Sequence, residues 1–412
     1  MHADQLSGMQ TTDAFAGLRP LTGEPADIDS TVGDGSDHHP PDSDDALLTP
    51  VYHEEALHTA LAGLFERTNA ETEGIARFAP ALPIPSDAMV TLGEGGTPLI
   101  DAPTLTDEWD VEVLVKDEGA NPTGGLVDRE MALAVSAARA SGAERVFLPT
   151  TGNGGQSAAA YAARAGLSSH SFVPSRSTFD TKAMINVHGG EMDVAGGRYP
   201  DAVAAFEAQL SELDNSTDPE SHSLAPFETP YRHEGIKTLA YELATSEPDA
   251  VLVPTAHGHT ALGLARGFRE LHSADIVSAV PRLYVAQPTG CAPIVDALER
   301  EDRELEPIEY PDTICGALEV PDPTGGAFAL AAVEATDGGG VAVEDDALLD
   351  GALDATRAGI PMSATGGVAV AGGRILADAG AFDADDRVIL LNPATANRES
   401  DVLRSRLMSE GR

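Results

Sequence analysis

The sequence predicts an α/β fold of two lobes, with parallel sheets covered by helices on both faces. From about residue 50 onward, short apolar runs of strand length alternate with longer, alanine-rich runs of helical period, which is the pattern of repeated βα units. This alternation is typical of a parallel sheet buried on both faces. With 412 residues the chain is long enough for one large unit and a smaller lobe. We assign residues 50–119 and 228–412 to the large lobe and residues 120–227 to the small lobe.

The composition excludes several classes of protein. The formal net charge of −42 would repel nucleic acid and anionic membrane surfaces, and no apolar run reaches the roughly 18 residues that a membrane span needs. Only three of the basic residues are lysines, and acidic residues are spread along the chain. This distribution is typical of a salt-adapted organism, in which salt screens the self-repulsion of the protein. We expect a soluble, cytoplasmic protein, because the first residues show no secretory signal.

Residues 1–49 differ from the rest of the chain. Asp, Ser, Gly and Pro dominate and no apolar period is sustained, so this segment cannot bury enough surface to offset its ordering entropy. We predict a disordered acidic tail, in which the adjacent His38 and His39 are solvated rather than bound to a metal. Cys291 and Cys315 have no metal-ligand spacing, and we expect buried, reduced thiols.

The first regular elements lie between residues 50 and 140. A helical pattern begins at Tyr52 and ends near Thr68. Alternating valines predict a strand over residues 111–115. A turn with Asn-Pro and Gly-Gly follows, and an alanine-rich helix starts near Leu126.

The small lobe continues the alternation of strand and helix. Short apolar runs predict strands at 145–148, 170–173 and 191–194. Amphipathic or alanine-rich runs predict helices at 156–165, 182–188 and 201–213.

The remainder of the large lobe follows the same alternation. Strands are predicted at 250–253, 283–286 and 387–391. Helices are predicted at 231–243, 261–271 and 292–300, then after residues 342–345 up to residue 358, and again after Gly366 and Gly367.

Glycine loops between strands and helices are the first candidate sites. A loop that feeds a helix N-terminus presents unpaired backbone N–H groups and the positive end of the helix dipole, so it can hold an anionic group. The loop before Leu126 is of this kind, and so is the loop after the strand at 145–148. Three glycines beside Asn153 are more than a plain tight turn requires. The predicted ligand-binding residues of this second loop are Thr150, Thr151, Gly152, Asn153, Gly154 and Gly155.

Three motifs resemble those of threonine synthase and its relatives among the tryptophan-synthase-β-like enzymes, which use pyridoxal phosphate (PLP). Residues 121–129 read Asn-Pro-Thr-Gly-Gly-Leu-Val-Asp-Arg, where the family has Asn-Pro-Thr-Gly-Ser-Phe-Lys-Asp-Arg. Residues 93–99 are similar to the family's Gly-Glu-Gly-x-Thr-Pro-Leu, and residues 230–238 to its Pro-Tyr-Arg-x-Glu-Gly-x-Lys-Thr. The resemblance spans about residues 74–397. It implies a fold-type II PLP-enzyme architecture and a ligand site between the lobes. Because relatives are commonly homodimers, it also implies a homodimer as the candidate assembly.

The resemblance breaks at the lysine that forms the Schiff base with PLP in the family, because Val127 stands at that position. The three lysines of the chain, Lys116, Lys182 and Lys237, match other lysines of the family, so none replaces it. Val127 shares a helix face with Met131, where an apolar side chain packs. PLP is therefore a possible cofactor by resemblance, but covalent attachment is not expected.

The resemblance also assigns roles to the second glycine loop and to the loop after residue 253. In the family, the loop that matches residues 150–155 holds the substrate carboxylate, and its asparagine, matched here by Asn153, contacts the PLP ring. The loop after residue 253 matches the family's phosphate loop, which is rich in Gly and Asn in relatives but reads Thr-Ala-His-Gly-His-Thr at residues 255–260. We expect the side chains at 256 and 257 to crowd a phosphate. The cofactor or anion candidates that remain there are His257, Gly258, His259 and Thr260.

Two further positions depart from the family pattern. Asn392, followed by Pro393, stands where relatives carry the partner of the pyridine nitrogen, and Pro removes an N–H there. Ser363 and Ala364 replace a Glu-Pro pair. A metal site at His257 and His259 lacks a third ligand in sequence reach, so we predict none.

Three functions remain open from the sequence. The leading hypothesis is a non-catalytic paralogue that keeps a cleft for a small anionic, amino-acid-like ligand, as a partner or regulator of an active homologue. The second is a working enzyme with non-covalently held PLP, either threonine synthase, which converts O-phosphohomoserine to threonine, or a related lyase. The third is a structural subunit in which the Asn153 loop is vestigial.

Overall fold

The computed structural model describes residues 10–25, 28, 47–66, 74–216 and 221–409. Phe15–Pro20 (β1) pairs antiparallel with Leu48–Tyr52 (β2), so the prediction of disorder from residue 1 to 49 is wrong for these stretches. All five residues of β2 are buried, and a partner distant in sequence outweighs the weak local pattern. Residues 1–9, 26–27 and 29–46 of the predicted tail, with His38 and His39, lie outside the described residues.

The other strands fall into two sheets. In chain order they are Leu99–Asp101 (β3), Glu112–Asp117 (β4), Arg145–Pro149 (β5), Ser168–Pro174 (β6), Glu191–Ala195 (β7), Ser221–Ser223 (β8), Ala250–Pro254 (β9), Arg282–Pro288 (β10), Gly339–Val343 (β11) and Arg387–Asn392 (β12). Within the described residues, the large sheet has the order β11-β10-β9-β12-β4-β3 and the small sheet the order β7-β6-β5-β8. All neighbouring strands in both sheets are parallel, apart from β3, which runs antiparallel to β4.

Helices connect the strands and cover the sheets. They are Glu54–Glu66 (α1), Pro103–Trp109 (α2), Val127–Ala140 (α3), Asn153–Ala165 (α4), Phe179–Val187 (α5), Tyr199–Ser216 (α6), Tyr231–Leu243 (α7), His259–Ser273 (α8), Pro293–Glu299 (α9), Gly326–Ala335 (α10), Asp345–Arg357 (α11), Ala364–Asp378 (α12) and Ser400–Ser409 (α13). Short 3₁₀ turns lie at Gly74–Ala81, Glu118–Ala120, Ala244–Ser246, Thr289–Cys291, Gly316–Leu318 and Ala396–Glu399. The α/β fold with parallel sheets is confirmed.

A buried network of charges joins α3 to α7. The fully buried Arg129 guanidinium donates to both oxygens of Glu118 and of Glu242, at 2.7 to 2.9 Å, and Lys116 donates to Glu242 at 2.7 Å. Burial would raise the pKa of Glu242, but Arg129 and Lys116 outweigh it and hold that pKa below its ordinary range. The helices touch closely, because a Cβ at Gly235 would lie 2.0 Å from the Arg129 carbonyl oxygen.

Two other expectations bear on the class of protein. In the described part of the chain, no helix has the length and apolarity to cross a bilayer. Cys291 and Cys315 are buried free thiols, as expected. Burial raises the pKa of the Cys291 thiol to about 12, so this thiol is un-ionised at neutral pH.

Candidate functional site

A cavity of about 130 Å³ lies between the two sheets. Its wall includes Pro149 at the end of β5, Pro254 at the end of β9, and Pro393 directly after β12. The carboxyl ends of strands from both sheets therefore meet at this point, which is where open parallel sheets bind ligands. Side chains from α3 and α6 complete the wall.

The predicted loop at residues 150–155 forms one side of the cavity. Thr150, Thr151, Asn153 and Gly154 line it. The Thr150 hydroxyl accepts hydrogen bonds from the N–H groups of Gly152 and Gly155, at 3.0 and 3.3 Å, and so fixes the turn from within. Gly152 and Gly155 shape the loop without lining the cavity.

Asn153 begins α4 and leaves donors free at the cavity. The backbone N–H groups of Asn153 and Gly154 belong to the first turn of the helix, where no intrahelical acceptor exists. The Asn153 side-chain amide makes no hydrogen bond within the described residues, although it borders the cavity. These donors and the helix dipole together favour a carboxylate or phosphate.

The predicted phosphate loop forms the opposite side. Ala256, His257, Gly258, His259 and Thr260 all line the cavity. In the described part of the chain, their backbone N–H groups have no acceptor, so the loop at the start of α8 can hold an anion. Gly258 is required for packing as well as for its φ of 99°, because a Cβ there would lie 2.5 Å from a backbone oxygen of Gly325.

The two histidines of this loop are neutral at pH 7. His259 Nε2 accepts a hydrogen bond from the Phe227 N–H at 3.3 Å, and its ring stacks on the Phe227 ring at 4.1 Å. Burial, aided by the Arg232 charge, lowers the pKa of His257 to about 3 and that of His259 well below its ordinary value. Among the described residues no group of three or more His, Cys, Asp or Glu could hold a metal ion.

Val127 lines the cavity at the first turn of α3 and packs partly against the main core. All three lysines of the chain lie in the described residues, and none lines the cavity. Lys116 and Lys237 are buried in ion pairs with Glu242 and Glu234, at 2.7 and 2.6 Å, whereas Lys182 donates to a backbone carbonyl at 2.7 Å. No lysine amine therefore lines the cavity at residue 127, the position of the Schiff-base lysine in the family that the sequence resembles.

Asn392 does not line this cavity. Its side chain is buried, accepts a hydrogen bond from the Ser363 hydroxyl at 2.9 Å, and donates to Asp117 at 2.8 Å. Ser363 caps α12 by accepting from the Gly366 N–H at 2.8 Å. Asn392 thus ties the end of β12 to this helix start.

Sequence reasoning missed Glu130, Arg232 and Tyr199, which also line the cavity. Arg232 lies in a motif singled out above, but it was not assigned to the site. Glu130 follows Val127 by three positions, which puts both on one face of α3. That spacing is the signal that could have found it.

A second cavity of about 240 Å³ adjoins the first and shares Thr151 and Asn153 with it. Two of its basic side chains, Arg198 and Arg176, pair with Glu319 at 2.6 and 3.3 Å. Their charges are therefore partly compensated within the protein.

Comparison with known proteins places these features in a family. The sequence model of the family of pyridoxal-phosphate dependent enzymes matches residues 90–394 of this chain. The threonine synthase of Methanocaldococcus jannaschii is 29% identical over 86% of this chain and 87% of its own length. The threonine synthase of Mycobacterium tuberculosis (H37Rv) is 31% identical over 67% of this chain and 74% of its own length.

A solved structure agrees at the level of the fold. The processed form of threonine deaminase isoform 2 from Solanum lycopersicum has a TM-score of 0.64 at 17% identity, covering 85% of this chain and 88% of that one. The family match includes both sheets and the cavity between them. The chain therefore belongs to the family of pyridoxal-phosphate dependent enzymes, as a threonine synthase-like member of fold-type II architecture.

Proposed function

We propose that this protein is a non-catalytic or divergent member of its family that binds a small anionic, amino-acid-like ligand without covalent PLP chemistry. The observation that carries the proposal is that Val127 lines the cavity at the lysine position while all three lysines lie elsewhere. A covalent imine needs an amine within bonding reach of the cofactor. Its role would be that of a partner or regulator of an active homologue, in the cytoplasm and as a homodimer.

The residues of the cavity do not fit covalently attached PLP. Family membership supports PLP binding by resemblance, but Val127 offers no amine. The first cavity alone, at about 130 Å³, is close to the roughly 150 Å³ of an engineered cavity that takes one benzene, so PLP would have to extend into the adjoining cavity of about 240 Å³. The rings of His257 and Tyr199 also meet edge to face in the wall, with centroids 5.2 Å apart. A small amino acid matches this space better.

The residues present can bind such a ligand directly. A carboxylate would accept hydrogen bonds from the free N–H groups of Asn153 and Gly154 and from the Asn153 amide. Val127 and Leu126 provide an apolar wall. Where the walls of the cavity exclude water, these hydrogen bonds are stronger than they would be in bulk solvent.

One observation favours the alternative of an active threonine synthase or related lyase with non-covalent PLP. The backbone N–H groups from Ala256 to Thr260 lack acceptors in the described chain, and such a row of donors suits a phosphate. PLP held there would supply an electron sink for carbanion chemistry. The third possibility, a purely structural subunit, is not favoured by the free donors of Asn153.

The absence of a Schiff base can be tested by reduction. After incubation with PLP in high salt and gel filtration, the protein is expected to be colourless, and borohydride should fix no stoichiometric PLP on Lys116, Lys182 or Lys237. The measurement is visible absorbance followed by peptide mapping. The Methanocaldococcus jannaschii threonine synthase, treated in parallel, is the control.

Two results would change the proposal. Stoichiometric PLP on one of the three lysines would overturn it. PLP that stays bound without reduction, together with threonine formed from O-phosphohomoserine, would establish the alternative instead.

The carboxylate site can be tested at Asn153. Small amino acids should raise the thermal stability of the parent by mass action, by about 2.7 kcal/mol at a hundredfold excess over Kd. Asn153→Ala should abolish this gain with little change in the unliganded protein, because the amide contacts no protein group. The matched control is Asn186→Ala on the exposed surface of α5. If no small anion stabilises the parent protein beyond a matched-salt control, the hypothesis of a structural subunit is favoured instead.

A further inference from the structure

We infer that Glu130 makes the cavity selective for α-amino acids over acids that lack the amine, by pairing its free oxygen with the ligand's ammonium group. This inference rests on the proposed function and names the ligand class of the same cavity. Glu130 and Val127 are one turn apart on α3 and both line the cavity. In relatives this helix carries the Schiff-base lysine. Here it carries the apolar side chain of Val127 and, one turn later, the carboxylate of Glu130.

The Glu130 carboxylate is buried and only half satisfied. The residue is 5% exposed. Its Oε2 atom accepts from Arg232 Nε at 2.7 Å and lies 2.6 Å from Arg232 Nη2. Its Oε1 atom accepts no hydrogen bond from any described residue. Oε1 keeps some exposure to the cavity, and a ligand's ammonium group there would form a charge-assisted hydrogen bond with it.

Arg232 holds Glu130 in place through two of its three guanidinium nitrogens. Its Nη1 atom donates to the Leu224 carbonyl at 2.9 Å, while Nε and Nη2 face Glu130. Arg232 is therefore a positioning residue, and each of its three guanidinium nitrogens already contacts a protein acceptor. The start of α4 has free N–H groups at the cavity, and we assign the ligand's carboxylate to it.

The charges of the cavity suit a zwitterion. Among the described residues that line it, Glu130 and Arg232 form an ion pair, whereas His257 and His259 remain neutral. Burial raises the pKa of Glu130, and the Arg232 charge opposes this shift. The wall is thus neutral overall, and an amino acid adds no net charge. An acid without the amine would bury an extra negative charge near Glu130 and leave Oε1 unpaired, and sites built this way discriminate strongly.

The test compares each amino acid with its deaminated analogue. By titration calorimetry in high salt, L-threonine and L-serine should bind the full-length protein on the order of tenfold or more tightly than 3-hydroxybutyrate and 3-hydroxypropionate. Glu130→Gln should weaken L-threonine binding by the same factor, on the order of tenfold or more, and leave the analogues nearly unchanged. The preference for the amine should vanish.

Two further variants keep the test decisive. Glu130→Gln leaves the Arg232 charge unpaired and can impair folding, so the double variant Glu130→Gln/Arg232→Gln removes both charges and should lose the amine preference in the same way. Asp386→Asn breaks a carboxylate–arginine pair with Arg282 outside the cavity, and its preference should match the parent's.

The outcomes separate this inference from the proposal on which it rests. Equal binding of amino acids and analogues by the parent, or a preference that survives in both Glu130 variants, overturns the role of Glu130 and leaves an anion-binding cavity intact. If neither class binds the parent at millimolar concentration, both the inference and the proposed function fall.

Discussion

Replacement of Arg129 by alanine is expected to lower the protein's free energy of unfolding by about 3–5 kcal/mol. The guanidinium is fully buried and donates to both Glu118 and Glu242. The substitution leaves two buried carboxylates without their main partner, and removal of one member of a buried ion pair costs about 3–5 kcal/mol. A whole domain is stable by about 5–15 kcal/mol. In the variant, the pKa of Glu242 should rise, because Arg129 is the main group that lowers it.

Urea unfolding followed by circular dichroism in high salt measures this effect. The control is Arg374→Ala, which removes a partly exposed guanidinium 2.7 Å from Glu108. Exposed ion pairs contribute about 0–1 kcal/mol, so this variant should stay near the parent. A loss below 1 kcal/mol for Arg129→Ala would show that the buried network contributes little to folding.

Stability is also expected to depend steeply on salt. With a net charge of −42, self-repulsion disfavours the compact state, and the Debye length falls from about 10 Å at 0.1 M to about 3 Å at 1 M salt. We expect the protein to be largely unfolded at low ionic strength and folded in molar KCl. Thermal melts across a KCl series would measure the transition.

A control separates charge screening from general salting-out. Sucrose strengthens burial without screening charge, so sucrose at matched osmolality should restore much less stability than KCl. A melting temperature that stays flat or falls between low and molar KCl would contradict the role assigned to the charge. Equal gains in sucrose and KCl would assign the effect to solvent exclusion instead.

The alternation of strands and helices could be predicted because its signal is local. Helix α3 begins within one residue of its predicted start, and strands β5, β9 and β12 contain their predicted spans. Pairing across long distances in sequence leaves a weaker pattern. Strand β1 lies in a segment that we predicted to be disordered, and its order comes from pairing with β2, with Phe15 packed partly against the core. Helix α10, at Gly326–Ala335, was not predicted, because it lacks the polar face that would produce a helical period in the sequence.

The site was predictable where a motif carried it. The loop of Asn153, the loop of His257 and the position of Val127 do meet at one cavity. Glu130 was not found, because a glutamate on a helix is usually a solvated residue, and its burial depends on Arg232 from another helix. Asn392 was predicted to belong to the site, because it stands where relatives carry the partner of the pyridine nitrogen. Its hydrogen bond with Ser363 instead holds it at the start of α12.

Strand β12 lies between β9 and β4 in the large sheet, although it is the last strand of the chain. Ribosomes release a chain N-terminus first, at about 5–20 residues per second. The strands of the small sheet are consecutive in the chain and can pair early. The facing edges of β4 and β9 stay open for on the order of ten seconds, until Asn392 has emerged. Open apolar edges attract other chains, so the nascent chain is the form of this protein most exposed to aggregation.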